Sequence, residues 1–377
     1  MWSDILYGFH VAVGPENLLL CFIGVLAGTL VGVLPGIGPI GAFAILLPVS
    51  LKISPVGSII MLAGIYYGSM YGGSTTSILV CVPGEPATVM TCLDGYQMAL
   101  KGRAGPALGI SAIGSFIAGT ISVIGLMIFA VPLANAALKF GPPEFFALVL
   151  MGLTLVTHLS QKSAERAFMA ALMGMLFSWV GLDLINGTTR FTFGMIELND
   201  GIGIIPLIMG LFGISEVFSE IEKEVRADVV KTKIKNLLPN REDWRQSKWP
   251  IARGSALGFF LGILPGGGGV IASFVSYILE KHLSKYPKRF GQEKIAAMAG
   301  PESANNAAAK NAFIPLLSLG IPMNATVAML FAALLIHGIR PGPQLITEHP
   351  EIFWGVIASM YIGNAMLLVL NLPLIGI

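Results

Sequence analysis

Charge is what this sequence has least of. Only 12% of its 377 residues are Asp, Glu, Lys or Arg, against about 25% in an average soluble domain. A further 54% are hydrophobic, and the mean hydropathy is +0.77. A soluble globular domain is excluded, and an integral membrane chain is left. Short alternating apolar segments are missing too; the apolar residues come in runs such as Ile121–Pro132, which argues against a transmembrane barrel. There are three cysteines, Cys21, Cys81 and Cys92, each in or beside an apolar stretch, so neither a disulfide framework nor a cysteine metal cluster follows. The five histidines are scattered without H-E-x-x-H spacing, and no G-x-x-x-x-G-K-[ST] segment occurs. A metalloprotease and an ATP-driven pump are thereby disfavoured. No nucleophile–base pair suggests an enzyme, and the basic residues are too dispersed for nucleic acid. "GIGPIG" (Gly36–Gly41) fits G-x-G-x-x-G, but without a preceding strand or a βαβ unit the dinucleotide reading fails.

Long apolar segments are abundant. A bilayer core of about 30 Å takes about 20 residues per helix, which leaves room for roughly nine to twelve crossings or part-crossings. Candidate segments are Leu18–Leu34, Ile37–Leu51, Val56–Val82, Ala104–Leu133, Glu144–Leu159, Ala167–Leu184, Ile202–Phe218, Ile251–Leu264, Val270–Leu279, Ala312–Ile339 and Phe353–Ile377. The amino terminus has no basic region before its apolar part and carries Asp4, so the first helix is expected to stay in the membrane. Basic loops at Lys101–Arg103, Lys162–Arg166, Lys223–Arg253 and Lys281–Lys294 alternate with loops poor in Lys and Arg, which assigns the basic set to the cytoplasm. The polar stretch Glu220–Pro250 reads as a cytoplasmic linker with some helix, and Asp94 as part of a cytoplasmic turn.

Two pairs of motifs recur. "GVLPGIGP" (Gly32–Pro39) is repeated as "GILPGGGG" (Gly262–Gly269), a shift of 262 − 32 = 230, and "VPGEPATVM" (Val82–Met90) as "IPMNATVAM" (Ile321–Met329), a shift of 322 − 83 = 239. The order is kept, as a duplication requires. Loop charges suggest that the copies are inverted, each LPG motif forming the tip of a helical hairpin. The expected fold is therefore all-α and membrane-integral, with two inverted repeats, helical hairpins and broken helices, an architecture that recurs among secondary transporters. The expected divisions are a first repeat over 1–103, scaffold helices over 104–219, the linker over 220–250, a second repeat over 251–340 and a C-terminal helix over 341–377.

Broken backbone inside a bilayer survives only where protein buries it or water lines it. Pro35 and Pro265 interrupt helices, and the glycines after them permit close approach of a ligand. A helix starting just beyond each tip would aim free N–H groups at an anion; tight small-residue packing is the competing reading. Ser74, Thr75, Thr76 and Ser77 follow a Gly-Gly pair, and Ser303, Asn305 and Asn306 lie in "PESANNAAAKNAFIPLLSLGIP". Such hydroxyls and amides can hold a carboxylate or ligate sodium without burying a full charge, so they are expected to line one polar cavity. Any single Ser or Thr could instead bond its own preceding turn. Glu85, Glu302 and Ser303 are candidates to neutralise a coupling ion or carry a proton. Lys310 could either attract an anion or snorkel to the interface.

The ordered set "GVLPGIGP", "LAGIYYGSMYGGSTTSIL", "VPGE", "DGYQMALKGRAGPALGI", "GILPGGGG", "PESANNAAAKNAFIPLLSLGIP" and "HGIRPGP" resembles the large membrane subunit of the tripartite tricarboxylate transporters over essentially the whole chain. The resemblance implies uptake of citrate-like carboxylates across a bacterial inner membrane, driven by an ion gradient. It implies a small membrane subunit and a periplasmic solute-binding protein as partners, no cofactor beyond a coupling cation such as sodium, and alternating access. By motif it places substrate at Gly36, Gly38, Ser74, Thr75, Thr76, Gly267, Gly268, Asn305 and Asn306. This chain departs from the family pattern at Lys310–Asn311 and Met323–Asn324, and it stops at "NLPLIGI" where members usually continue, so a truncated carboxyl terminus is expected. An anion channel, and behind it a membrane-embedded enzyme, are the alternatives.

Overall fold

The computed structural model describes residues 2–34, 38–139, 163–182, 188–199, 237–264 and 268–374, with isolated positions between 141 and 218. The expected segments Glu144–Leu159 and Ile202–Phe218 lie largely outside the described residues, as do the tips Pro35–Ile37 and Pro265–Gly267. The described chain is almost wholly helical. Its first group is α1 (Trp2–Ala12), α2 (Pro15–Val33), α3 (Gly38–Ser50), α4 (Pro55–Val80), α5 (Val89–Leu100) and α6 (Ala104–Ala137). Then come α7 (Ala164–Ser178) and a two-residue antiparallel pair, β1 (Gly181–Leu182) with β2 (Thr189–Arg190). The second group is α8 (Arg241–Gly262), α9 (Gly268–Leu283), α10 (Ile295–Asn311), α11 (Phe313–Leu319), α12 (Ala325–Ile336), α13 (Leu345–Glu348) and α14 (Pro350–Leu374). Among the described residues, three helices are long and apolar enough to cross a bilayer alone: Pro15–Val33, Ala104–Ala137 and Pro350–Leu372.

Glycine decides how these helices stack. A Cβ built on Gly24, Gly28 or Gly32 of α2 would lie 2.2, 2.4 or 2.2 Å from the carbonyl oxygens of Met61, Ile65 and Ser69 on α4. On α8, Gly254, Gly258 and Gly262 meet Gly300, Ala304 and Ala308 of α10 in the same way, at 2.2, 2.2 and 2.6 Å. Numbers rise together in both sets, so each pair runs parallel. Without side chains between them the backbones touch, and dispersion replaces the hydrophobic force that lipid does not supply. The α2 glycines precede those of α8 by 254 − 24 = 230 residues, and Met61 precedes Gly300 by 300 − 61 = 239, the two shifts already found in the motifs.

Two expected boundaries move. The segment expected to start at Ile251 begins at Arg241, inside the expected linker, because the Asn240 side chain accepts from the backbone N–H groups of Glu242 and Asp243 while Asp243 returns a bond to the Asn240 N–H, a capping box. The segment expected as Ala312–Ile339 breaks at Gly320, which closes α11 at φ +71, and restarts where the Asn324 side chain caps α12. Cys81 closes α4 at φ +58, 320 − 81 = 239 positions earlier. Asp94, expected in a turn, is buried in α5.

Gly28→Val and Gly258→Val would each drive a side chain into a neighbouring backbone, an overpacking worth about 1–3 kcal/mol or more. Both are expected to lower the melting temperature of detergent-purified protein, whereas Gly174→Ala in α7, with nothing within 4 Å of the added carbon, should melt with the parent. Equal melting of all three would show that the pairs are not seated on these glycines.

Candidate functional site

Every residue of α10 from Ile295 to Asn311 is buried, and its side chains sort by face. The face toward α8 is the small-residue strip just described. The face toward α6 is polar. Glu302 accepts hydrogen bonds from Ser74 of α4 (2.5 Å), Ser111 of α6 (3.2 Å) and Thr91 of α5. One turn on, the Asn306 amide donates to Ser115 (2.7 Å) and to the Glu302 carbonyl (3.1 Å). Lys310 lies against Gly119, where a Cβ would be 2.2 Å from its Nζ, and Asn311 donates to Ser122 at 3.2 Å. Positions 302, 306 and 310 thus meet 111, 115 and 119 in step. Against α4 the order runs the other way: Ser74 meets Glu302, while Tyr71, earlier in its helix, and Lys310, later in its own, meet at Asn364 of α14.

The third face carries Asn305. It is 1% exposed, and neither its Oδ1 nor its Nδ2 has a hydrogen-bond partner among the described residues. A Cβ on Gly269, in the first turn of α9, would lie 2.8 Å from Asn305 Oδ1 and 3.7 Å from the Ala87 side chain. The amide therefore sits where α9 meets the 3-10 turn Pro86–Thr88. Leaving such a group unsatisfied costs about 1–3 kcal/mol. Two residues earlier and on another face of α10, Ser303 Oγ is buried against Gly114 and also lacks a partner among the described residues.

The other expected site residues scatter around this junction. Gly38 opens α3 at φ +56 with nothing within 4 Å of an added Cβ, and Gly268 packs on Gly262. Gly36 and Gly267 lie outside the described residues. Ser74 is bound to Glu302, Thr75 is half-buried, and Thr76 bonds back to the Gly73 carbonyl at 3.1 Å, as does Ser77 at 2.8 Å. Glu85 is 6% exposed, its stem packed on Gly73, and its neighbour Gly84 abuts the Gly32 carbonyl near the first tip. Thr91, Ser111, Ser115, Tyr71 and Asn364 were not singled out from the sequence. The four-residue spacing of Ser111, Ser115 and Gly119, matching that of 302, 306 and 310, was the available signal.

At one end of the molecule, three of the four basic loops come together. Lys101 bridges to Glu293 (3.1 Å), Arg103 to Asp243, and Lys294 donates to Gln246 (3.1 Å). Asp94 anchors them by accepting from the backbone of Gly291, Glu293 and Lys294 (2.8, 3.0 and 2.6 Å) and from the Tyr277 hydroxyl (3.2 Å). A first-half carboxylate thus fixes the loop that leads into α10.

Helices paired through glycine, with a wholly buried helix turning Glu, Asn and Lys inward, define a multi-helix membrane protein with a polar interior. The chain belongs to the Tripartite tricarboxylate transporter TctA family, whose profile matches residues 18–377. It is 51% identical over 375 residues to an uncharacterized 52.8 kDa protein of Agrobacterium vitis encoded in the TAR-I ttuC′ 3′ region, covering 100% of this chain and 75% of that protein. An uncharacterized protein of the TAR-II ttuC′ 3′ region of Agrobacterium vitis is 59% identical over 120 residues, 32% of this chain and 50% of its own length. No solved structure matches.

Glu302→Ala would orphan three buried hydroxyls at about 1–3 kcal/mol each, whereas Glu302→Gln keeps a carbonyl acceptor. The alanine variant is expected to melt well below the glutamine variant. Coincident melting curves would mean that the hydroxyls do not depend on residue 302.

Proposed function

We propose that this chain is the large transmembrane subunit of a binding-protein-dependent secondary transporter, taking up tricarboxylates or related carboxylates by cation-coupled alternating access across a bacterial inner membrane. Asn305 carries the reading: a buried amide with no hydrogen-bond partner among the described residues, at the junction of the two halves, is a ready donor and acceptor for a carboxylate and an oxygen ligand for a hard cation. Around it we place Gly38, Ser74, Thr75, Thr76, Gly268 and Asn306, with Gly36 and Gly267 at the tips, as the substrate site. Glu85, Glu302 and Ser303 would serve the coupling ion, with sodium as the first choice for hydroxyl, amide and carboxylate oxygens. The first helical turn of α9, beside Asn305, would lend its N–H groups to the anion.

The two halves are read as inverted repeats, 1–103 and 251–340, joined through the scaffold over 104–219 and the 220–250 linker and followed by the 341–377 helix. Three observations support this. The glycine pairings and the left-handed helix ends recur at 230 and 239 positions, α2 with α4 and α8 with α10 run parallel within each half, and α4 and α10 run oppositely where they meet. The proposed partners are a small membrane subunit and a periplasmic solute-binding protein.

The experiment is uptake of labelled citrate into vesicles holding this chain with its small subunit and binding protein, with and without an imposed sodium gradient. Accumulation against the citrate gradient only when sodium is imposed is expected; equilibration alone would identify a channel instead. Asn305→Ala and Thr75→Val are each expected to abolish uptake while membrane insertion, followed by protease protection, is unchanged. Full uptake by both variants would remove these positions from the site.

A further inference from the structure

Lys310 has no part in the substrate site drawn above, yet it is among the largest fully buried side chains, at 0% exposure. Its Nζ donates to Asn364 Oδ1 at 2.9 Å and stands 5.5 Å from the Tyr67 ring centroid. Tyr71 offers its hydroxyl to the same oxygen at 3.1 Å. The Asn364 amide is held by the Phe116 carbonyl (2.9 Å) and Thr120 Oγ1 (3.1 Å), so that its oxygen is fixed toward Lys310. No carboxylate is among these partners. Glu302 stands two turns back on the same helix, about 12 Å by helical rise, with its oxygens occupied by hydroxyls. Bare Gly119 makes the room, since a Cβ there would lie 2.2 Å from Nζ.

Tyr71 and Lys310 differ by 310 − 71 = 239 positions, the repeat shift, and they share one acceptor. Equivalent positions can meet at a single atom only close to the axis that relates the halves. For the inverted repeats proposed above that axis lies in the membrane plane, which would put the ammonium near mid-bilayer, where a charge is most costly and rarely kept without use.

We propose that Lys310 is a tethered cation. Its ammonium fills a monovalent-cation position built from Asn364 Oδ1, which also accepts from the Tyr71 hydroxyl, and the Tyr67 ring face, and it supplies a fixed positive charge at mid-membrane in place of one exchanging ion. The role in transport rests on the carboxylate-uptake reading above, since a carboxylate crossing the bilayer core needs a charge of opposite sign at that depth; the occupancy of the position does not.

Two measurements on the full chain separate these claims. Lys310→Ala opens the position, and the purified variant should melt higher in sodium, potassium or ammonium chloride than in choline chloride at equal ionic strength, saturably, by a margin the parent lacks. Lys310→Ser serves in the same comparison if the alanine variant does not fold. Equal melting in all four salts would overturn the proposal. Lys310→Met keeps the length and discards the buried charge, so it should fold; its citrate uptake in vesicles is expected to fall at least about tenfold, the loss of one charge-assisted hydrogen bond. Uptake at the parent level by the methionine variant would reduce Lys310 to packing. Should the parent itself fail to accumulate citrate, the uptake reading falls while the salt comparison still decides whether a cation position exists.

Discussion

Contact between bare backbones is the constraint on which this architecture depends. Where Gly254, Gly258 and Gly262 lie on Gly300, Ala304 and Ala308, and Gly24, Gly28 and Gly32 on Met61, Ile65 and Ser69, no side chain of the glycine-bearing helix intervenes. Helices this close shut out lipid and water from everything between them. The burial of α10 along its whole length follows, because α8, α9, α6 and α5 all reach it. A helix so enclosed cannot send a polar side chain to solvent, and each polar group it carries has to be satisfied inside or left for a ligand.

That condition sorts the polar residues of α10 into two kinds. Glu302, Asn306 and Asn311 find hydroxyls on α6, α4 and α5, and Lys310 finds an amide on α14. The Oδ1 atoms of Asn306 and Asn311 lack a partner among the described residues, but each amide nitrogen is bonded to an α6 hydroxyl, and such buried bonds tie α10 to α6. Asn305 and Ser303 find nothing among the described residues. The contrast cannot come from a shortage of protein around them, because both are as buried as their neighbours. It comes from what stands opposite: Gly269 and Ala87 in one case, Gly114 in the other, residues with no side-chain hydrogen-bonding group to offer.

Much of this was legible in the sequence, for a physical reason. Membrane interiors tolerate glycine and proline in helices only where packing or function uses them, so "GG" and "VPG" pointed to the close contact of Gly73 with Glu85 and to the turn at Pro86–Thr88, whereas the hairpins and the repeat read from "LPG" and the offsets belong to the proposed architecture. Pairings were not legible. That Glu302 would meet Thr91, Ser74 and Ser111 depends on how three helices cross, which composition does not encode, and hydroxyls on α6 look like any serines of an apolar helix. Charge misled in two places. Asp94 reads as a turn residue beside "GYQMALKGR", yet four donors from the second half bury it, and Lys310 could be assigned no depth without its partner Asn364. Apolar runs were also joined too readily: Ala312–Ile339 carries no long polar gap, and the break at Gly320 depends on one left-handed residue.

The crossing of the two halves has a further consequence. α3, which follows the first tip, packs on α12 of the second half, and α9, which follows the second tip, packs on the Pro86–Thr88 turn of the first. Asn324 donates to Tyr66 at 3.0 Å, joining the second-half turn to α4, while Asn305 of α10 faces Ala87 in the first-half turn. Subtracting 239 from 305 gives 66, and adding 239 to 85 gives 324, so under the proposed inverted repeat the Tyr66–Asn324 bond and the approach of Asn305 to the Pro86–Thr88 turn would be the same contact seen from opposite halves. One is closed by a hydrogen bond, whereas in the other the Asn305 amide has no partner among the described residues. If the halves are the proposed repeats, stability alone gives them no reason to differ there, since a tyrosine at 305 or an amide donor at 85 would close both. On that reading the asymmetry would leave one of two equivalent positions filled by protein and the other for a ligand, and for that reason the proposed site is centred on Asn305 and not on the tips alone.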